Sequence, residues 1–254
     1  MLIGAQLYTL RDYCKNTADF AETLKKVADI GFKTVQVSGT CAYEPLWLKE
    51  QLDINGLSCD LTHFNFNRIT DETEKVVEEH DIFKCKYIGV GSMPGFLNNG
   101  VDDYINYVSK GLPAARKMSK LGSLLMYHNH DVEYRVYEDM TYMDRLAAAF
   151  PAELMGFTLD SYWIKFAGAD PVEEFRKFSG RIPCVHFKDM AVLTDGTKRY
   201  APVGSGILDF EKIAEACVTG GTKFAYIEQD DCYGEDPFKC LESSYKYCKS
   251  LGLE

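Results

Sequence analysis

The sequence has no Lys/Arg-rich run, no Cys-x-x-Cys pair, no apolar stretch long enough to cross a bilayer, and no Gly-x-Gly-x-x-Gly after its first strand-like segment. Each absence removes a class of function. A chain with formal net charge -10 and no basic patch repels phosphate backbones and anionic bilayers, so neither nucleic acid nor a membrane is expected as a partner. The nine cysteines are odd in number and lie mostly within apolar or helical patterns, which suits reduced thiols and not a disulfide framework. The opening MLIGAQLYTLRDYC carries no basic leader, and the expectation is a cytoplasmic protein. Without the glycine fingerprint, a doubly wound dinucleotide fold loses support.

What the chain does have is alternation. Hydrophobic residues make up 46% of 254, enough for a substantial core. Apolar runs recur eight times, at 2–8, 33–39, 57–64, 87–91, 123–130, 154–160, 182–189 and 223–230. Most are continuous, as strands covered on both faces of a parallel sheet are. Amphipathic segments separate them. TADFAETLKKVADIG sets Phe20, Leu24, Val27 and Ala28 on one stripe and stops at Gly31. DPVEEFRKFSG starts with Asp170 as N-cap and Pro171 at the first helical position. In the longest, NNGVDDYINYVSKGLPAARKMSKLG, Pro113 is expected to kink the helix or split it. Eight strand–helix units predict an α/β fold, a (β/α)8 TIM barrel of parallel strands that fills residues 1–254 as a single domain.

In such a barrel the chemistry sits at the C-terminal ends of the strands. There the fifth segment ends in His128, Asn129 and His130, the sixth in Asp160, the seventh in His186, Lys188 and Asp189, and the eighth in Glu228, Asp230 and Asp231. Period-two alternation turns His128 and His130 to one side if the fifth strand reaches that far. Imidazoles and carboxylates meeting from neighbouring strands suit a divalent cation, because each offers it a lone pair. Plainer readings exist: a hydrogen-bonded strand-end histidine, Asp160 capping the next turn, Glu228 paired with Lys188 or Arg199. Jointly they would leave several ionisable groups at one barrel mouth, which is costly unless a cation binds there. His63 ends the third strand, where a substrate contact and a structural role stay equally open. His80 reads as helix packing or surface, and Trp163 and Phe166 as pocket wall or core. GSG at 204–206 is a glycine turn without the setting of a phosphate cradle.

The phrases IGAQLYTLRD, YHNHDVEY, TLDSYWIKFAGADP, VHFKD, APVGSGILDF and YIEQD run through nearly the whole chain. Together they resemble the xylose-isomerase-like TIM barrels of the sugar phosphate isomerase/epimerase family, whose relatives include inosose dehydratase and ketose 3-epimerases. The resemblance implies a small-molecule sugar or polyol substrate. It also implies one divalent ion (Mn, Zn, Co, Fe or Mg) held by Glu, Asp, His and Glu from strands five to eight. Asp160, His186 and Glu228 match the last three positions. The first falls on His128, with His130 two residues on, so the metal set is His128, Asp160, His186 and Glu228.

The activity so implied is a metal-dependent isomerase or epimerase that moves a proton next to a carbonyl of a keto-sugar or related polyol. Glu228, His130 and Lys188 are then catalytic, and Gln6, Tyr8, His63, Trp163 and Arg199 lie against substrate. Glu133 is expected to orient a histidine. Only one of the family's paired glutamates remains, and Trp163 stands where the epimerases tend to have a histidine. Two unlike groups suit elimination, so a metal-dependent dehydratase or lyase on a keto-inositol, keto-sugar or 3-keto-glycoside is the alternative. A further one is a non-catalytic sugar-binding or accessory subunit whose metal site decayed through the Glu-to-His change. Acidic charge and only five histidines argue against the DNA-repair endonuclease branch of the same fold. Barrels of this group often pair, which makes a homo-oligomer a further expectation.

Overall fold

The eight apolar runs form strands β1 (Leu2–Gln6), β2 (Thr34–Val37), β3 (Ser58–His63), β4 (Tyr87–Val90), β5 (Leu124–His128), β6 (Met155–Asp160), β7 (Cys184–Phe187) and β8 (Phe224–Ile227). In the computed structural model, which describes residues 1–254, they pair in parallel in chain order and β8 closes on β1. Around them run α1 (Thr17–Ile30), α2 (Pro45–Asn55), α3 (Phe66–Asp71), α4 (Thr73–Ile82), α5 (Val101–Lys120), α6 (Tyr142–Ala149), α7 (Ser161–Phe166), α8 (Pro171–Lys177), α9 (Phe210–Thr219) and α10 (Pro237–Ser250). The parallel TIM barrel read from the sequence is the fold observed.

Local signals mostly act as expected. On α1, Phe20, Leu24 and Val27 are buried and Ala28 is half-buried. Asp170 Oδ1 accepts from the backbone N–H of Val172 and Glu173 ahead of Pro171. Pro113 does not split its helix: α5 runs from Val101 to Lys120 with the proline inside. Tyr107, Gly111, Ala114, Ala115 and Met118 form one buried face spanning the proline, and that packing holds the two halves as one helix. β5 is shorter than expected and stops at His128, so His130 lies beyond the strand. Two antiparallel hairpins were not expected: 136–137 pairs with 140–141, and Asp189–Val192 with Lys198–Ala201.

Inside the barrel, Leu61, Met126, Cys184 and Tyr226 form a small apolar plug, separate from the 57-residue core between strands and helices. The Tyr226 ring occupies the space over Gly4, where an added Cβ would come within 2.5 Å of it. Further along the strands, toward their C-terminal ends, inward positions turn polar: Gln6 on β1, Gln36 on β2, His63 on β3 and His128 on β5. The plug thus forms a floor beneath the polar groups.

Outside the barrel, His80 on α4 is buried. It is a packing residue: Nδ1–H donates to the Val76 carbonyl (2.7 Å) and Nε2 accepts from the Thr62 hydroxyl (3.0 Å). Burial lowers its pKa from the usual 6.5 to about 4. The unfolded chain therefore takes up this proton near pH 6.5, while the folded chain resists until about 4. Stability from the neutral ring is complete above pH 6.5 and is lost as pH falls toward 4, by roughly 3 kcal/mol at most. His80→Gln is expected to cost about 1–2 kcal/mol at pH 8 through the altered hydrogen bonds. Its deficit against the wild type should shrink below pH 6.5. Urea melts at pH 8, 6 and 5 check this, and a deficit constant across pH would refute it.

Candidate metal centre and cavity

His128, Asp160, His186 and Glu228, all buried, can each turn one ligating atom into a cluster in which those atoms lie within 4.8 Å of one another. Strand register brings them together. Asp160 on β6 stands beside His186 on β7, and His186 beside Tyr226, two residues before Glu228.

Each side chain is held from behind, which turns its inner atom toward the cluster. His128 Nδ1–H donates to the Gly91 carbonyl (2.9 Å), so its Nε2 lone pair faces Asp160 Oδ2 at 3.3 Å. His186 Nε2–H donates to Gln36 Oε1 (2.6 Å), so Nδ1 faces Glu228 Oε2 at 3.0 Å and Asp160 Oδ2 at 3.7 Å. Asp160 Oδ1 caps α7 through Trp163 N–H (3.0 Å), and its main-chain N–H donates to Asn129 Oδ1. The capping reading is right for one oxygen and leaves the other for the cluster. Glu228 Oε1 accepts from Gln6 Nε2 (2.9 Å). Fixing the outer nitrogen of an imidazole with an oxygen acceptor is how metal-binding histidines are oriented.

Lys188 adds a cation. Its Nζ lies 2.6 Å from Asp230 Oδ1, 3.2 Å from Glu228 Oε2 and 3.6 Å from Asp160 Oδ2. Burial opposes charge on all of these groups, but mutual attraction prevails for most. Lys188 is held well above its ordinary pKa by Glu228 and Asp160, and Asp160 and Glu228 well below theirs by Lys188 and the facing imidazoles. Burial also disfavours a proton on His186, yet Glu228 and Asp160 raise it to about 9. Asp230 goes the other way, raised by burial and by the charge on Glu228. Asp160, Glu228 and Asp230 gathered around the single ammonium of Lys188 leave an excess of carboxylates that a divalent ion would offset. His186 Nδ1 is buried without a well-aligned hydrogen-bond partner. Two nitrogens and two carboxylates fit Mn, Co, Fe or Zn by donor type.

Above the cluster is a cavity of about 430 Å³. Gln6, Tyr8, His63, His128, His130, Trp163, Lys188 and Glu228 all line it. Although β5 ends early, His130 still reaches the cavity, with its ring 4.8 Å from His128 and 5.1 Å from Trp163. Glu133 does not hold an imidazole: Oε2 accepts from the His130 main-chain N–H (2.7 Å) and Oε1 from the Tyr127 hydroxyl (2.6 Å). It sets the turn that aims His130. Burial, then His128 and Lys188, drive the His130 pKa down to about 2, and burial with His128 and His186 lowers that of His63. Gly91 has no room for a side chain, since a Cβ there would lie 2.9 Å from His63 Nδ1.

Three strand-end groups lie elsewhere. Arg199 is exposed on the hairpin, 4.7 Å over the Tyr233 ring and outside the cavity lining. Asp189 turns away and accepts from the main-chain N–H groups of Gly204, Gly206 and Leu208, so the GSG turn wraps a carboxylate of its own chain. Asp231 is exposed and accepts from Tyr233 N–H. Asp230, a strand-end residue, also lines the cavity, and Ser38, Gly91, Ser92 and Phe96 complete it. Gln36 was missed, although a glutamine inside a buried apolar run is itself a signal.

No family model matches the chain. The closed barrel has the fold of the xylose-isomerase-like TIM barrels. A solved sugar phosphate isomerase/epimerase from Parabacteroides distasonis overlays with TM-score 0.79 at 22% identity, covering 98% of this chain and 93% of that one. An L-ribulose 3-epimerase overlays with TM-score 0.73 at 13% identity, covering 99% and 94%. By sequence, the inosose dehydratase of Lacticaseibacillus casei is 24% identical over 265 aligned positions, 90% of this chain and 88% of its own length.

Gln36→Leu removes the acceptor that fixes His186 and is expected to weaken Mn or Zn affinity by roughly 10–100-fold. Asp160→Asn is expected to weaken it more. Equilibrium dialysis followed by elemental analysis measures both. Wild-type affinity in Gln36→Leu would show that the amide does not support a ligand.

Proposed function

We propose that the protein is a divalent-metal-dependent enzyme that removes a proton next to a carbonyl of a polyhydroxylated ketone and expels a neighbouring hydroxyl as water. The observation that carries this is the His128–Asp160–His186–Glu228 cluster at the floor of a cavity in which three further buried nitrogens have no hydrogen-bond partner. His63 Nε2, His130 Nδ1 and Trp163 Nε1 are buried, lack hydrogen bonds and belong to residues lining that cavity. Buried polar atoms left unpaired are rare, and three around one space suit a ligand rich in hydroxyls.

His128, Asp160, His186 and Glu228 would hold a divalent ion, which would supply Lewis acidity toward the substrate carbonyl. The chain supplies the proton chemistry. Glu228 is engaged on both oxygens, by Gln6 and by Lys188. His130 lines the cavity and its buried Nδ1 has no hydrogen-bond partner, which makes it the available base by geometry. His130 Nδ1 takes the carbon-bound proton and passes it to the departing hydroxyl; the carbon–oxygen bond breaks, water leaves, and a double bond forms beside the carbonyl. Lys188 keeps its proton and offers positive charge to a substrate oxygen.

Isomerisation or epimerisation is the second reading. It is favoured by the L-ribulose 3-epimerase likeness. It needs a second group able to return a proton to the same carbon, and Lys188, bound by three carboxylates, is a poor donor. The inosose dehydratase relatives agree with elimination and suggest a keto-inositol as the first substrate to try.

Protein reconstituted with Mn or Zn in heavy water should exchange the proton next to the carbonyl of a keto-inositol or keto-sugar and form a product lighter by one water. Chelation should abolish both. His130→Gln is expected to slow turnover by roughly 10²–10⁴-fold while metal content is retained. Exchange without loss of water would favour the epimerase reading, and neither exchange nor conversion across the panel would overturn the proposal.

A further inference from the structure

Between β4 and α5 the chain passes through residues 91–100 in a run of tight turns at the C-terminal end of the barrel. Phe96 N–H donates to the Met93 carbonyl (2.9 Å), Asn98 N–H to Gly95 (2.9 Å) and Gly100 N–H to Leu97 (3.0 Å). Gly95, Phe96 and Leu97 all have positive φ, at 83°, 55° and 54°. Glycine adopts that conformation freely, whereas side chains as large as Phe and Leu resist it. Phe96 and Leu97 are two of five residues with a side chain and positive φ in the chain, and no other two are adjacent. A backbone held against its preference points to a use for what it holds.

Packing and one carboxylate do the holding. Met93 and Leu97 are buried in the core between strands and helices. Asp103, in the first turn of α5, accepts from the main-chain N–H of Asn99 (3.0 Å) and from its side-chain amide (3.1 Å). The same carboxylate fills the space beside Gly95, where an added Cβ would lie 2.5 Å from Oδ2. Phe96 sits between the two apolar anchors yet keeps 37% of its surface exposed.

Its ring is turned to the cavity over the four-residue cluster, where it packs on His130 with centroids 4.7 Å apart and planes at 54°. Trp163 packs on the same imidazole at 5.1 Å and 52°. His130 thus borders an open space, but its Nδ1 is buried and has no hydrogen-bond partner. Apolar rings on an imidazole keep water from its nitrogen, and exclusion of water limits leakage of a proton in transit.

We infer that Phe96 is a positioning residue for His130: the left-handed turn presses its ring on the imidazole and keeps water from Nδ1 during proton transfer. This rests on the reading that His130 removes the proton next to the carbonyl. It adds that the proton stays within the site, returning to carbon or leaving in the expelled water before solvent replaces it.

The test is the ratio of deuterium washed into unreacted keto-inositol to water lost, measured in heavy water with the Mn-loaded protein. The wild type is expected to incorporate about one deuterium or fewer per ten eliminations. Phe96→Ala should raise that ratio at least about tenfold, and Phe96→Tyr, which keeps the ring, should leave it near the wild-type value. Leu97→Ala removes an anchor outside the cavity lining and should shift the ratio in the same direction. Slower turnover of Phe96→Ala at an unchanged ratio would reduce Phe96 to a structural role and overturn the inference. A wild type that takes up deuterium faster than it loses water would overturn it as well.

A second readout needs no turnover. Carbethoxylation of His130 by diethyl pyrocarbonate, mapped by mass spectrometry, should run at least about tenfold faster in Phe96→Ala than in the wild type or Phe96→Tyr. Should no substrate exchange or lose water, the chemistry falls and these rates still decide the cover. Equal rates overturn it, and a faster rate in Phe96→Ala alone upholds it. Turnover with equal rates and equal ratios would leave the chemistry standing and overturn the cover.

Discussion

Asp160 and Glu228 face two buried imidazole nitrogens, and much of the surrounding architecture manages that arrangement. Lone pairs on all four sides repel unless positive charge lies among them. Lys188 supplies part of it from one flank, and a proton raised onto His186 supplies more when nothing else does. Behind each of the four side chains stands a partner on another element: Gly91 after β4, Gln36 on β2, Gln6 on β1 and the start of α7. Most of the barrel's circumference is thus engaged in keeping four atoms turned inward.

That arrangement also divides labour between neighbouring residues. Lys188 and Asp189 are adjacent in sequence and face opposite ways, one into the cluster and the other into the 204–208 turn. His130 and Glu133 work as a pair in which the carboxylate grips the main chain and so aims the ring. Lys188 also lies 5.4 Å over the Trp163 ring and 5.1 Å over Tyr200, aromatic surfaces that suit a cation kept from water.

The barrel was legible because its signals are local and repeated: eight apolar runs, amphipathic stripes such as Phe20, Leu24 and Val27, and caps such as Asp170. The meeting of His128, Asp160, His186 and Glu228 was legible because they end successive strands, where topology alone brings them together. Tertiary packing decided what failed. Pro113 should break a helix in isolation, but a buried face on both sides keeps α5 whole. Asp189 and Asp231 had the right residue type at a strand end, yet nearby main-chain N–H groups claimed their oxygens first. Arg199 was brought forward by the phrase that follows it, and the hairpin that carries it outward left no periodic trace. Gln36 could be recognised only once His186 stood across the barrel from it.

Deep in the barrel, the Tyr226 ring fills the space above Gly4. Positions 4 and 226 therefore form one steric unit, though they lie at opposite ends of the chain. In lineages descended from a common ancestor, a residue bulkier than glycine at the first position requires a smaller one at the second, and an intermediate carrying only the first change is overfilled. Thr34 Cγ2 lies within 2.8 Å of the same added Cβ, so bulk can enter at position 4 only where both neighbours give way.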